Sequence, residues 1–474
     1  VVTAIVLLVY IFALLFVAQY LQKRRAASRS FARKVLHIGA ISACALAVVI
    51  IPDRDLLLWI AALALPFLAF VVWKGFFKDP VSGRRSWGIF YFAAVYVFLL
   101  LLFRNDRPEL VFYPMLVLAL ADGFATVVGE KFGSRTYLFS GDTRTLEGSI
   151  TFFFFTILCL VFPHAYYDLL HIPFDRGFML LFVAVFLTLT ESVSSNGRDN
   201  LWVPLGLVYW VLVLPEVSLN EVEWTAFLLI PLIASLVVHK LGWLQLGGSV
   251  AALMLGWIIL ISPDPRQIIP ALFFFVIGSV LTRLPGKSGP SHFGRRSAVQ
   301  VFSNGGMPVA ALMGYFITQH DALLFGFYIG FTTALSDTAS SEIGTRLRHP
   351  TFNIISGRSM SPGMSGGISW LGLLSGLFAA MLMAAVIVFL SMRFEIIFFF
   401  AIALLGLLGN VLDSIFGAWL QVKYRTREFV EWSDEPPVGH DLEVKGLPWV
   451  SNDMVNLMAT GIATLIGIVL YNFL

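Results

Sequence analysis

The chain has 474 residues, of which 58% are hydrophobic, 15% aromatic and only 13% charged, with a mean hydropathy of +0.84. That balance excludes a soluble enzyme of this length and leaves an integral membrane protein. A net charge of +3 gives no reason to expect nucleic acid as a partner, and Cys44 and Cys159, both in apolar runs, suggest neither a disulfide framework nor a cysteine metal site.

Apolar runs of the length a bilayer requires, roughly 20 residues each, follow one another from end to end. The first, "VVTAIVLLVYIFALLFVAQY", is long for a signal-peptide core and lacks a small-residue cleavage pattern, so it reads as a membrane helix. Spans are expected at 3–20, 35–51, 56–73, 87–103, 109–129, 149–166, 177–193 and 201–215. They continue at 223–240, 246–262, 267–282, 306–319, 322–342, 367–391, 394–420 and 454–473. The expected fold is therefore an all-α polytopic membrane protein of about 16 transmembrane helices in two related bundles. The break falls near "LPEVSLNEVEW", giving domains 1–218 and 219–474.

Lys and Arg test this alternation. All of the 32 except Arg54, Arg104, Arg107, Arg176, Arg266 and Arg393 fall in the loops of one side. Basic residues accumulate in cytoplasmic loops, so that side is expected to face the cytosol, with both termini outside.

Four elements recur in the same order in both halves, all near the expected cytosolic side. A basic pair precedes a polar residue and glycine: "ARKVLHIGA", with Arg33, Lys34 and His37, against "GRRSAVQVFSNGG", with Arg295, Arg296, Asn304 and Gly305. An acid ending an apolar run is followed seven residues later by glycine, Asp122 to Gly129 in "LALADGFATVVGEKFG" and Asp337 to Gly344 in "TALSDTASSEIGTRL". A small-residue turn enters the next span, "TLEGSITFF" (Glu147, Gly148, Ser149) against "MSGGISWLG" (Ser365, Gly366, Gly367). Last comes an acid–Ser pair and then an Asp/Asn cluster. It reads Glu191, Ser192, Asp199 and Asn200 in one half, and Asp413, Ser414, Asn452, Asp453 and Asn456 in the other.

An ionisable side chain at membrane depth costs at least ~2.5–3.5 kcal/mol. A single such acid is often interfacial or paired with arginine for structural reasons; an ordered set occurring twice points to a site. Carboxylates with Asn and Ser offer hard oxygen ligands that suit Mg²⁺ carried in with a nucleotide. Glycines admit backbone N–H groups to phosphate oxygens, and a helix N-terminus favours anions. Lys131, Arg135 and Arg144, like Arg346, Arg348 and Arg358, supply positive charge. Phosphoryl transfer needs mainly positioning, metal and cationic stabilisation. Neither a Walker A nor a protein-kinase motif is present, so a nucleotide site is of another kind. His37 reads equally well as a phosphate or carboxylate partner and as a structural interfacial histidine. The runs "FFFF" at 152–155 and "FFF" at 398–400 are bulk facing lipid or core.

On "RKVLHIG", "ADGFATVVGEKFG", "TLEGS" and "ESVSSNGRDNLWVP", the first half resembles the phytol kinase and dolichol kinase group of CTP-dependent polyprenol kinases. On "RRSAVQVFSNGG", "ALSDTASSEIG", "PGMSGGISWLG", "LLGNVLDSIFGAWLQ" and "NDMVNL", the second half resembles the phytyl-phosphate kinase family. The resemblance implies that the first half phosphorylates an isoprenoid alcohol such as phytol, with CTP as donor, and that the second converts the monophosphate to the diphosphate. Carried onto matching positions, it implies catalytic Asp122, Glu191, Asp337 and Asp413. It implies metal ligands Asp122, Glu147, Asp199, Asp337, Glu342 and Asp453, with Mg²⁺ as cofactor. Nucleotide and phosphate contacts would come from Arg33, Lys34, Gly129, Lys131, Arg144, Gly148 and Asn200. In the second half they would come from Arg295, Arg296, Asn304, Gly305, Gly344, Gly366 and Asn456. Expected partners are the alcohol and its phosphate, a nucleoside triphosphate and the lipid bilayer of the cell membrane, with the sites facing the cytosol. A CTP-using lipid cytidylyltransferase would need the same inventory. A transporter is the other alternative, though its acids would sit nearer the midplane.

Overall fold

The computed structural model describes residues 29–74, 87–139, 142–162, 177–284, 294–347, 349–392, 395–426, 432–434 and 442–473. The expected span 3–20, Arg348 and the side chain of Arg33 lie outside the described residues. Helix makes up 77% of the structure, and the chain divides into two compact units, Val1–Ser218 and Leu219–Leu474.

The first unit contains α1 (Arg29–Ile50), α2 (Arg54–Trp73), α3 (Gly88–Phe103), α4 (Glu109–Val117), α5 (Gly123–Phe132), α6 (Leu146–Val161), α7 (Gly177–Val193) and α8 (Asp199–Val213). α4 and α5 form one rod, joined through a single π-helical turn, Leu118–Asp122. Pro114 within α4 removes a backbone donor just before that turn, and π-bulges of this kind concentrate at functional sites. The rod is the unit's axis: α1, α6 and α8 pack on it, and α7 packs on α6 and α8. Its apolar residues Val111, Met115 and Leu118 are fully enclosed, as are Phe152, Leu187 and Trp210 from the surrounding helices. Phe182 and Phe186 meet the Trp210 ring edge-on at 4.7 and 5.1 Å, a favoured aromatic geometry.

The second unit contains α9 (Glu221–Lys240), α10 (Leu246–Leu260), α11 (Ile268–Arg283), α12 (Ala298–Thr318), α13 (Asp321–Arg346), α14 (Trp370–Ser391), α15 (Ile396–Trp419) and α16 (Asn452–Leu470). α13 is central, with α11, α12, α14, α15 and α16 all against it. Small residues permit that density. Gly326 and Gly330 receive Ile468, Thr464 and Pro308, while Gly406 and Gly409 of α15 fit over Thr332 and Thr333. Helices in membranes associate through such close contacts rather than through hydrophobic driving force.

From 35–51 onward each expected apolar run contains a helix among the described residues, although the run expected at 367–391 opens with a strand at Gly367–Ile368. Among the described residues, however, seven helices are long and apolar enough to cross a bilayer by length and composition, and five apolar helices are shorter. α12 and α13 belong to neither group because the Ser, Thr, Asn and Gly in their sequences lower their hydropathy. The all-α expectation also needs amendment. Among the described residues, three small antiparallel sheets occupy the loops, with β1 (Thr136–Leu138) on β2 (Thr143–Thr145), β3 (Thr351–Asn353) between β4 (Ser359–Met360) and β5 (Gly367–Ile368), and β6 (Lys423–Thr426) on β7 (Leu442–Lys445). Strands of two to four residues are too short to show an alternating pattern in sequence.

Candidate active sites in the two units

In the first unit the acids converge. Asp122 ends the π turn, Glu191 lies in the last turn of α7, and Asp199 opens α8. All three are at least nine-tenths buried. One carboxylate oxygen from each lies within 4.8 Å of the other two. Arg144 clamps two of them, with Nη1 2.7 Å from Glu191 Oε1 and Nη2 donating to Asp199 Oδ2 at 3.0 Å. Nη2 also donates to the Ser194 carbonyl at 3.3 Å. Burial works against the guanidinium charge, but Glu191, Asp199 and Asp122 outweigh it and hold Arg144 above its ordinary pKa, so it stays cationic.

The β1–β2 hairpin explains how Arg144 gets there. It places Arg144 directly opposite Tyr137, and opposed residues of an antiparallel pair share a face. Tyr137 reaches the same helix end: its hydroxyl lies 2.8 Å from Ser192 Oγ and also hydrogen-bonds Ser149. His37 approaches from α1, with Nε2 3.2 Å from Asp122 Oδ2, an ion-pair distance that falls outside hydrogen-bond geometry. Lys34, one turn earlier, is close enough for its charge to act on Asp122. Beside the cluster opens a cleft of about 230 Å³, lined by Thr126, Gly129, Arg144, Gly148, Ser149 and Glu191 among others.

Two residues expected in this site stand elsewhere. Glu147 turns away from the other acids and accepts from Ser134 Oγ at 2.5 Å, because it sits one residue inside α6 and faces the turn after α5. Lys131 is exposed, with its ammonium 5.1 Å from the Phe132 ring centre. Gly129 and Gly148 line the cleft but also set the crossing of α5 on α6. A Cβ on Gly129 would lie 2.7 Å from Thr145 Oγ1, and one on Gly148 would lie 3.0 Å from the Ala125 carbonyl.

The second unit repeats this crossing. Thr145 caps α6 by accepting from the Gly148 N–H at 3.2 Å, and Ser369 caps α14 by accepting from the Gly372 N–H at 3.1 Å. A Cβ on Gly344 would meet Ser369 Oγ at 3.0 Å and Gly372 Cα at 3.2 Å, and one on Gly372 would meet the Ser340 carbonyl at 3.0 Å. Ala125 and Ser340 each lie three residues after the Asp, and Gly129 and Gly344 seven. The counterpart of Gly148 is therefore Gly372, not Gly366 as the sequence alignment of "EGS" with "SGG" has it. Gly366 is a turn residue with φ +84, and a Cβ there would lie 2.4 Å from the Ala418 backbone nitrogen, so only glycine fits. Short motifs rich in Gly and Ser align in several registers; the helix cap, three residues before the glycine in both units, was the signal that separates them.

Asp337 and Asp413 come together in the second unit, lining one seam with Asn304, Asn456, Thr333 and Thr460. Other expected members do not join them. Glu342 is held by Arg346 at 2.6 Å, and Arg346 also donates to the Thr282 and Leu284 carbonyls. Arg295 is exposed beside Gly242, and Arg296 lies over the Phe274 ring and beside Gly278. Gly305 packs against Leu255 and Phe331, and Asp453 sits in the first turn of α16, off the seam. Sequence reading missed Thr333, Thr460, Tyr137 and Thr145, since a lone hydroxyl in an apolar helix or short strand carries no pattern of its own.

The family described as integral membrane protein DUF92 matches residues 229–464. An uncharacterized membrane protein of Synechocystis sp. is 30% identical over 233 residues, covering 46% of this chain and 79% of the relative. The chain belongs to the DUF92 family of integral membrane proteins. The matched stretch holds every member of the second unit's seam. The chain is also similar to a phytol kinase of Synechocystis sp., 28% identical over 217 residues, 42% of this chain and 87% of that one. It is similar as well to the chloroplastic protein VTE6 of Arabidopsis thaliana, 24% identical over 252 residues, 49% of this chain and 66% of that one. No solved structure matches the chain.

Proposed function

We propose that the chain is a two-site isoprenoid kinase. The first unit would phosphorylate phytol or a similar alcohol with CTP, and the second would phosphorylate the monophosphate to the diphosphate. The observation that carries this reading is the buried cluster of Asp122, Glu191 and Asp199, clamped by Arg144 at the mouth of a cleft. Similarity to a phytol kinase, matched over nearly its whole length by less than half of this chain, supports the substrate class and leaves room for a second domain. The expectation of about 16 spans in two bundles belongs to the same proposal, as do a cell-membrane location and cytosol-facing sites.

In the first unit, Asp122 would take the proton of the attacking hydroxyl, with His37 orienting it, as the hydroxyl oxygen bonds to the γ-phosphorus and CDP leaves. Arg144 would balance charge that develops on the transferred phosphoryl oxygens. The residues fit Mg²⁺: three carboxylates and the buried Asn200 Oδ1, which has no hydrogen-bond partner among the described residues, are the oxygen donors it prefers. When bound there, Mg²⁺ would neutralise nucleotide phosphate charge.

The test is a membrane assay with labelled CTP and either phytol or phytyl phosphate. Asp122→Asn is expected to abolish only the first step and Asp337→Asn only the second. Either substitution stopping both steps in a folded protein would contradict two separate sites. Release of pyrophosphate in place of CDP would make the enzyme a cytidylyltransferase.

A further inference from the structure

We propose that the small sheet between α13 and α14 lies on the anionic head groups of the cytosolic leaflet, a lipid contact built into the second unit independently of its acid seam. Between Glu342 and Glu395 the sequence holds no acid, while Arg348 and Arg358 fall in the loop itself. Basic residues beside a membrane surface attract anionic lipid head groups. The corresponding loop of the first unit is balanced, with Arg135 and Arg144 against Asp142 and Glu147. The loop after α15, residues 421–453, carries more Asp and Glu than Lys and Arg. The one-signed charge is therefore particular to this loop.

The geometry supplies an apolar face to go with the charge. Phe352 of β3 stands opposite Ser359 of β4 and Ile368 of β5, so the three share a face. That face is the outward one, since Phe352 and Ser359 are exposed whereas Thr351, on the reverse, is buried. Ile355 in the β3–β4 turn is 58% exposed, and Arg358, which closes the same turn, is exposed as well. The face continues into α14, a helix long and apolar enough to span, where Trp370, Leu374 and Phe378 recur every four residues and are 75%, 58% and 65% exposed. Tryptophan at the end of such a helix sits at head-group level. The sheet can occupy that level because its turn satisfies its own backbone. Asn353 Oδ1 accepts from the Ile355 and Ser356 N–H groups at 3.1 and 2.9 Å, and the Asn353 N–H donates to the Arg358 carbonyl at 2.9 Å. Asp434 meets the loop at its far end, where it accepts from the Ser365 N–H at 2.8 Å while the Lys423 ammonium donates to the Ser365 carbonyl at 2.7 Å.

The full chain with a fluorescent amino acid in place of Ile355, reconstituted in vesicles of phosphatidylcholine and phosphatidylglycerol, tests the contact without any turnover. Phosphatidylglycerol spin-labelled near its head group is expected to quench the fluorophore more than phosphatidylcholine labelled the same way, and the excess should shrink as salt is raised. Arg358→Gln is expected to cut that excess about 5-fold with the melting temperature unchanged. The same fluorophore in place of Glu443, in the acidic loop, is expected to show no preference between the two lipids. Quenching at position 355 by neither lipid would mean that the sheet stands in water, and equal quenching by both would mean contact without charge recognition. Either result overturns the proposal, as does an excess that Arg358→Gln leaves unchanged or that position 443 shares in full.

Discussion

Arg144 touches more of the first unit's chemistry than any acid does. One guanidinium faces Glu191, Asp199 and the Ser194 carbonyl, so its planar fork matters as much as its charge. Arg144→Lys keeps the charge but cannot bridge both carboxylates. First-step turnover by this variant is expected to fall on the order of 10²-fold with second-step turnover unchanged, measured on phytol and phytyl phosphate separately. Arg144→Ala leaves two buried carboxylates without their partner and is expected to cost about 3–5 kcal/mol of stability, visible as a lowered melting temperature in detergent. At this scale the sequence placed Asp122, Glu191 and Asp199 together through their order alone. It could not separate them from Glu147, whose carboxylate points into a neighbouring turn.

The recurring element is a helix crossing, Asp-bearing helix against capped helix, built once from α5 and α6 and again from α13 and α14. Its glycines are positions of close approach, so a methyl group should be costly in proportion to what it meets. Gly372→Ala would push a Cβ onto the Ser340 backbone carbonyl at 3.0 Å, which cannot move as a side chain can. A loss of about 1–3 kcal/mol is expected. Gly306→Ala, with nothing within 4 Å of its Cβ, is expected to be neutral or to stabilise α12 by up to about 1 kcal/mol. Thr145→Ala and Ser369→Ala should each cost about 1 kcal/mol through the lost cap. Thermal unfolding of the four variants in one detergent checks the order: Gly372→Ala least stable and Gly306→Ala most.

Over the whole molecule, the contacts gather into Val1–Ser218 and Leu219–Leu474, each with its own enclosed axis and its own acid site. Each unit expressed alone is expected to insert and to melt cooperatively, as followed by circular dichroism. Under the kinase reading, the first alone should consume phytol and the second alone phytyl phosphate. Loss of helix content in either isolated unit would mean that the two are interdependent.

Membrane character, the order of the helices and the paired Asp–Gly spacing were fixed by sequence, because burial in lipid demands long apolar runs and a buried acid stands out against them. The sequence marks α13 as a span but not as the centre of its unit, since its Thr, Ser and Gly reveal close packing only once the neighbouring helices are in place. Which residues share a site was a tertiary matter. A three-residue hairpin strand delivers Arg144, and a cap three residues before a glycine, not the glycine motif itself, defines the repeat. Side-chain direction separates Glu147 and Glu342 from the acid clusters, and direction depends on neighbours that lie far away in the chain.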